Sequence, residues 1–213
     1  MTHRNLLRAL SAEDASTRLQ AALAAGTRAD PDLADPLVAR CAVEPEFFVR
    51  DMLTWALTRL PVDVTVPKLL AQLRSGHAQA RAQALHTLSK LGEPSTWPAI
   101  SRALLRDGDD EVARSAWRAA VVLVPPAAKK ELATELATQL GRGDRKVQLS
   151  LSQALVALGD VIEPVLRVAL TSADPAVRAH ARATERLLHD PDAGFELALD
   201  EASRIVTLGP DRA

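Results

Sequence analysis

One recurring pattern restricts this chain more than anything else in it. A polar or acidic residue, a Val-Arg step and then Ala or Leu at helical spacing return again and again, closing on Leu-Gly or its equivalent. The copies begin at Glu46, His77, Asp109, Asp144 and Asp174, at intervals of 31, 32, 35 and 30 residues. Such near-constant spacing is the mark of a repeat architecture, in which each copy is one supersecondary unit that buries its apolar face only by stacking on its neighbours. The longest interval holds the Pro125-Pro126 turn.

Within each copy, positions 4, 8, 11, 12 and 15 form the apolar set. They are Val49, Leu53, Ala56, Leu57 and Leu60 in the first copy, and Val147, Leu151, Ala154, Leu155 and Leu158 in the fourth. Steps of three and four put these residues on one helix face. Asp144 and Asp174 stand where an N-cap belongs, Pro175 in the first turn, and Gly92 and Gly159 where helices end. Between the copies lie VTVPKLLAQLRS, STWPAISRALLR, KKELATELATQL and VIEPVLRVALTS, each with apolar residues at helical spacing. Pro67, Pro98 and Pro164 fall early in these segments, where a missing N–H is tolerated. No alternating strand pattern is present. The expected fold is all-α, a series of antiparallel helix pairs.

These residues carry a family resemblance. Asp174-Pro175-x-Val177-Arg178, Val49-Arg50, Arg81 and the Ala-Leu-x-x-Leu-Gly ending at Ala154–Gly159 resemble the HEAT-repeat family, in particular the short bacterial repeats of the phycobilisome-lyase-like type. The resemblance runs from about Asp30 to Thr207 and implies a right-handed α-solenoid of about five repeats with helical caps. It departs from the pattern at Gln148, where the repeat arginine belongs, and at His77, where the aspartate belongs. As one HEAT-like domain, residues 1–29 would be the N-terminal cap, 30–189 the repeats and 190–213 the C-terminal cap. In the first cap, Ser11 is read as the N-cap of a helix to Ala25, with Leu19, Ala22 and Leu23 buried. A second helix spans about Pro31 to Cys41. In the last, Phe195, Leu199, Ile205 and Val206 would close the apolar end, with Asp192, Glu196, Asp200 and Glu201 facing water.

Motifs for chemistry are missing. None of the five histidines forms a His-x-x-x-His pair or joins a cysteine, so the reading carries no metal and no cofactor. Cys41, the only cysteine, lies on an apolar helix stripe and reads as a buried small hydrophobe. Gly141-Arg142-Gly143-Asp144 lacks the lysine and the strand of a phosphate loop and reads as a turn capped by Asp144. Asp109, Asp110 and Glu111 complement a helix dipole. With 26 Lys+Arg against 27 Asp+Glu, the charge balance argues against nucleic acid. With no signal peptide or membrane helix in the sequence, the expectation is a cytoplasmic protein, and the Ala- and Arg-rich composition associates with a GC-rich bacterial genome.

What remains is one surface. The resemblance implies that the second helix of each pair lines a concave face, and positions 7, 10 and 14 turn away from the packed stripe. These are Met52, Trp55 and Arg59; Gln83, His86 and Lys90; and Ser115, Arg118 and Val122, with Arg114 beside them. In the fourth and fifth copies they are Ser150, Gln153 and Ala157, then His180, Ala183 and Leu187. Trp, Met and Arg are the residue types enriched at binding hot spots. Phe47 and Phe48, at the start of the first copy, are expected to seal the join to the preceding helix. The reading is a non-enzymatic scaffold that binds a protein or peptide, an acidic one, through Met52, Trp55, Arg59, Gln83, His86, Lys90, Arg114 and Arg118. The alternative, also from resemblance, is a nucleic-acid-binding HEAT-like protein of the alkylpurine DNA glycosylase type. Trp55, Trp97, Trp117, Asp51, Arg114 and Arg118 would build its groove.

Overall fold

Every one of the five repeat starts is the N-cap of a helix in the computed structural model, which describes residues 2–190 together with Leu199, Asp200 and Ser203. The three aspartates cap through their carboxylates. Asp109 accepts from the N–H groups of Glu111 and Val112, Asp144 from those of Lys146 and Val147, and Asp174 from that of Ala176. These are donors that the first helical turn leaves without partners. Gly92 ends its helix at a φ of 64°, a left-handed conformation that a side chain would strain.

In chain order the helices are α1 (His3–Leu10), α2 (Ala15–Arg28), α3 (Ala34–Cys41), α4 (Phe47–Thr58), α5 (Val62–Gln72) and α6 (Ala78–Leu91). They continue with α7 (Arg102–Leu105), α8 (Asp110–Leu123), α9 (Lys129–Ala137), α10 (Arg145–Val156), α11 (Glu163–Ala169) and α12 (Pro175–His189). No strand occurs among the described residues. The chain forms two compact units, Met1–Ile100 and Ser101–Ala213. In the first, α2, α4 and α6 pack side by side as one layer, with α3 and α5 behind them and α1 against α2. In the second, α8, α10 and α12 form the layer, backed by α7, α9 and α11. The fold is all-α, built of antiparallel helix pairs.

The apolar set is buried as the spacing requires. Val49, Leu53, Ala56, Leu57 and Leu60 are in the core, as are Val112, Ala116, Ala119, Ala120 and Leu123, and Val147, Leu151, Ala154, Leu155 and Leu158. With only 3% aromatic residues, this core is made of Leu, Val and Ala. Small side chains let neighbouring helices approach. At Gly26 of α2 a Cβ would lie 2.3 Å from Cζ3 of Trp55 and 2.9 Å from the Ala56 Cα, so only glycine fits where α4 crosses α2.

The repeat arginine folds back over the turn that leads into its own helix. Arg50 donates from Nη1 to the carbonyls of Glu44 and Pro45, at 3.0 and 2.5 Å. Arg81 reaches the Ser75 carbonyl at 2.9 Å, and Arg178 those of Ser172 and Ala173 at 2.7 and 2.8 Å. Gln148 substitutes, with Nε2 donating to the Gly143 carbonyl at 3.3 Å. In the third copy the arginine comes one place late and Arg114 pairs with Glu111 instead. Arg142, from a later turn, supplies the donor to the Asp107 carbonyl at 2.6 Å. A hydrogen bond from a charged donor is worth roughly 1.5–3 kcal/mol where solvent is excluded and less at these part-exposed carbonyls, so the clasps help hold the turns shut.

The N-terminal segment departs from expectation. Ser11 does not cap a helix; it ends α1. Asp14 is the N-cap of α2, its carboxylate accepting from the Thr17 N–H at 2.7 Å. Arg18 then clasps the Ala12 and Glu13 carbonyls at 3.0 and 2.6 Å. Asp14 lies 32 residues before Glu46, so α2 has the start, the spacing and the clasp of a repeat helix. Its buried face is Arg18, Ala21, Ala22, Ala25 and Gly26, while Leu23 is 41% exposed and Leu19 only half-buried. The first helices of the pairs are also shorter than the periodicity implies. The region expected as a helix from Pro31 opens with a 3-10 turn, Pro31–Leu33, before α3. STWPAISRALLR falls in a 3-10 stretch, Pro94–Ala99, followed by the four-residue α7, because Pro98 and the non-helical Ile100 interrupt it. Of the expected C-terminal cap, Leu199 is buried against Ala183, Leu149 and Leu187, and Asp200 pairs with Arg145. Asp192, Phe195, Glu196, Glu201, Ile205 and Val206 lie outside the described residues.

Candidate functional site

On α4, residues 48, 52, 55 and 59 follow one another at steps of four, three and four, which is a single ridge along the helix. Phe48 is 75% exposed, Met52 half-buried, Trp55 38% exposed and Arg59 exposed. Trp55 serves two purposes at once. One edge of its ring closes over Gly26 of α2, while part of the side chain remains open to water. Leu23, one turn before Gly26 on α2, is exposed beside this contact region. On α6, Gln83 and His86 are half-buried and Lys90 is exposed. The Gln83 Oε1 is buried without a hydrogen-bond partner.

Phe47 and Phe48 do not seal the helix junction. They stand 64% and 75% exposed, edge to face at 5.6 Å between ring centres. The junction is closed by polar groups instead. The Glu44 carboxylate, wholly buried in the α3–α4 turn, accepts from Nε and Nη2 of Arg18, from Nε of Arg40 and from the Glu46 N–H, all at 2.8 to 3.0 Å. Gln79 of α6 donates to the Cys41 and Glu44 carbonyls at 3.0 and 2.8 Å. Burial works to raise the Glu44 pKa, but the Arg18 hydrogen bonds, the Glu46 N–H and Arg40 together hold it at about 2. With the turn filled by charge and hydrogen bonds, no apolar recess is left for the phenyl rings. Position counting carried a hint of this, since positions 2 and 3 lie outside the buried set.

In the second unit the expected ridge is split between buried and exposed positions. Ser115, Ser150, His180 and Ala183 are buried, contrary to expectation, while Arg118, Val122, Gln153 and Ala157 are exposed. His180 is enclosed by a complete polar cluster. Its Nδ1 accepts from the Gly141 N–H at 3.0 Å, and its Nε2 lies 3.0 Å from both the Gln148 carbonyl and the Ser152 hydroxyl. Ser152 in turn meets Thr184 at 2.7 Å. An acceptor at Nδ1 and a carbonyl at Nε2 define the neutral ring with its proton on Nε2. Burial lowers the His180 pKa to about 4, against an opposing pull from the Gln148 carbonyl. Arg114 is held by Glu111, and Arg118 donates to the Ser115 hydroxyl at 3.2 Å. Desolvation, and then the neighbouring Arg114 charge, lower the Arg118 pKa.

The other tryptophans do not lie on the α4 ridge. Trp117 is fully buried, donates its indole N–H to the Leu105 carbonyl at 2.9 Å and lies under the Arg142 guanidinium. Trp97 is in the 3-10 stretch rather than on a first helix. Burial pushes the Cys41 thiol up to about 12, which removes it as a nucleophile. No group of three or more His, Cys, Asp or Glu residues suited to a metal ion occurs among the described residues, and none of their helices is long and apolar enough to cross a membrane by itself.

Helix pairs and repeat clasps give a HEAT-like helical-repeat fold. Among solved structures the chain is similar to the complex of CpcE and CpcF of phycocyanin lyase from Nostoc sp. PCC7120. The TM-score is 0.50 at 19% identity, over 95% of this chain and 86% of that one. An engineered protein gives a TM-score of 0.48 at 18% identity, over 91% of this chain and all of the other. Human deoxyhypusine hydroxylase gives 0.47 at 14% identity, over 96% and 94%. No protein-family model matches the chain, and no curated protein matches it.

Proposed function

We propose that this chain is a non-enzymatic scaffold of the short, phycobilisome-lyase-like HEAT type that binds a protein or peptide through the outward face of the α2, α4 and α6 layer. One observation carries the reading. Trp55 and Leu23, large apolar side chains on adjoining helices, remain exposed at equivalent positions of successive repeats, where a core role would have buried them. Met52 extends this apolar strip, Gln83 and His86 stand half-buried on the neighbouring α6, and Arg59 and Lys90 stand at the ends of their helices to steer acidic groups. Arg114 and Arg118 on α8 are a separate basic pair of the second unit. CpcE and CpcF, chains of this fold, form a complex with each other, which supports a fold suited to protein partners. Against the glycosylase alternative stands Trp117, one of the residues its groove would need, which is a core residue whose N–H is already bonded.

The test is affinity capture from the source organism with wild type, a Met52→Ala/Trp55→Ala variant and an Arg114→Ala/Arg118→Ala variant. A protein captured by wild type should be lost or reduced at least tenfold with the first variant. Equal recovery of every protein would remove the α4 ridge from the site. Loss only with the second variant would move the site to the second unit.

A further inference from the structure

The bases at the first turn of α4 are all turned inward. Arg18 and Arg40 are bound to the buried Glu44 carboxylate, and Arg50 to the carbonyls of its own turn. Two of the acids there are not. Glu46 and Asp51 are both exposed, and Asp51 lies one helical turn beyond Phe47 and Phe48, on their side of the helix. The two exposed phenyl rings are thus edged by negative charge. At the other end of α4 the sign reverses, with exposed Arg59 capping α4 and exposed Lys90 in the last turn of α6. The 12 residues of α4 separate the two ends by about 18 Å at 1.5 Å per residue.

From this we infer that the ridge of α4 binds one elongated apolar segment in a single direction, with a basic residue over Phe47, Phe48, Glu46 and Asp51 and an acidic residue toward Arg59 and Lys90. The inference rests on the scaffold reading for its Arg59 end and adds the Phe47–Phe48 end to it. Charge complementarity selects the occupant. A second copy of this chain would bring its own carboxylates against Glu46 and Asp51 if the phenyl pairs met, and an anionic lipid surface would meet the same repulsion. A Lys or Arg gains both carboxylates and the faces of two aromatic rings. The platform is preorganised, because the turn below the rings is tied by Arg18, Arg40, Arg50 and Gln79, so little order has to be created on binding.

The test is selection of a displayed library of random 14-residue peptides on the full chain, followed by affinity measurement of the enriched sequences. Enriched peptides should carry Lys or Arg at one end, Asp or Glu at the other and apolar residues between. The same peptide in reversed order should bind at least tenfold more weakly. Phe47→Ala/Phe48→Ala and Glu46→Gln/Asp51→Asn should each weaken binding at least tenfold; all four residues are exposed, so the fold is kept. Binders insensitive to both variants, or equal binding of reversed peptides, would overturn the inference. Failure to enrich any peptide dependent on Phe47 and Phe48 would do the same. So would a dimer in sedimentation, or co-sedimentation with phosphatidylglycerol vesicles, that the Phe variant abolishes. The two readings fail separately. Binding lost in Trp55→Ala but kept in the Phe variant sinks only the extended, directional segment. The opposite result sinks the Trp55 ridge and leaves the Phe47–Phe48 site.

Discussion

Arg18 and Glu44 lie 26 residues apart and meet through two hydrogen bonds of 2.8 Å, with the arginine side chain 5% exposed and the carboxylate fully enclosed. Glu44→Gln would leave Arg18 as a buried charge without its partner. The expected cost is about 3–5 kcal/mol of unfolding free energy, read from denaturant titration. Asp35→Asn, which removes the exposed pair with Lys68, is the control and should cost under about 1 kcal/mol. Glu44 is depressed from 4.5 to about 2, so its contribution is present above pH 4.5 and is lost as pH falls toward 2.

His180 gives a second acid-sensitive step. Its folded pKa, about 4, lies below the ordinary 6.5, so the unfolded chain takes up the proton first. The stability it supports is complete above pH 6.5 and falls between pH 6.5 and 4, by an amount on the order of 3 kcal/mol. Melting temperature measured across this range should fall steeply for wild type and less for His180→Gln. Equal slopes would show that the cluster does not couple to protonation.

Gly26→Ala sets two effects against each other. Alanine favours the helix by about 1 kcal/mol, while overpacking costs about 1–3 kcal/mol. The second should win, because the added methyl meets the Ala56 Cα at 2.9 Å, a backbone atom that cannot swing aside as the Trp55 ring can. Thermal denaturation should show a net loss, and acrylamide should quench more tryptophan emission as Trp55 is displaced. The loss should shrink in a Trp55→Ala background.

Cys41 should be silent toward thiol reagents in the native protein, given its burial and a pKa near 12. Labelling with a maleimide should proceed only at the rate of unfolding, which makes this residue a reporter of native-state opening. Rapid labelling at neutral pH would show that the α3 region opens locally.

The parts of the fold legible in the sequence were those set by local periodicity. Glu46, His77, Asp109, Asp144 and Asp174 were marked by spacing alone, and each caps a helix. The misplaced parts depend on what lies across a turn or at the end of a layer. Phe47 and Phe48 looked like packing residues because nothing local shows that Glu44 and its arginines already fill the junction. His180 looked outward because its partners, Gly141, Gln148 and Ser152, belong to the preceding repeat. Ser11 was read as a cap because serine suits that position and α1, which it ends, was not anticipated. Trp55 was placed outward correctly, yet the share of its ring taken by Gly26 could not be read without knowing how closely α2 approaches.

The arginine clasp reaches no farther than six residues, from Arg18, Arg81 or Arg178 to the carbonyls just before their own helices. Each of these copies therefore carries its own instructions for turning the corner, whereas the third copy borrows Arg142 from a later turn. A duplicated segment inserted between two others would arrive with its entry loop already secured, needing only matching apolar faces above and below. Growth by tandem duplication is the simplest history for such a chain. The Arg18–Glu44 bridge is the opposite kind of bond, a link between copies that pins two particular neighbours together and resists being shuffled.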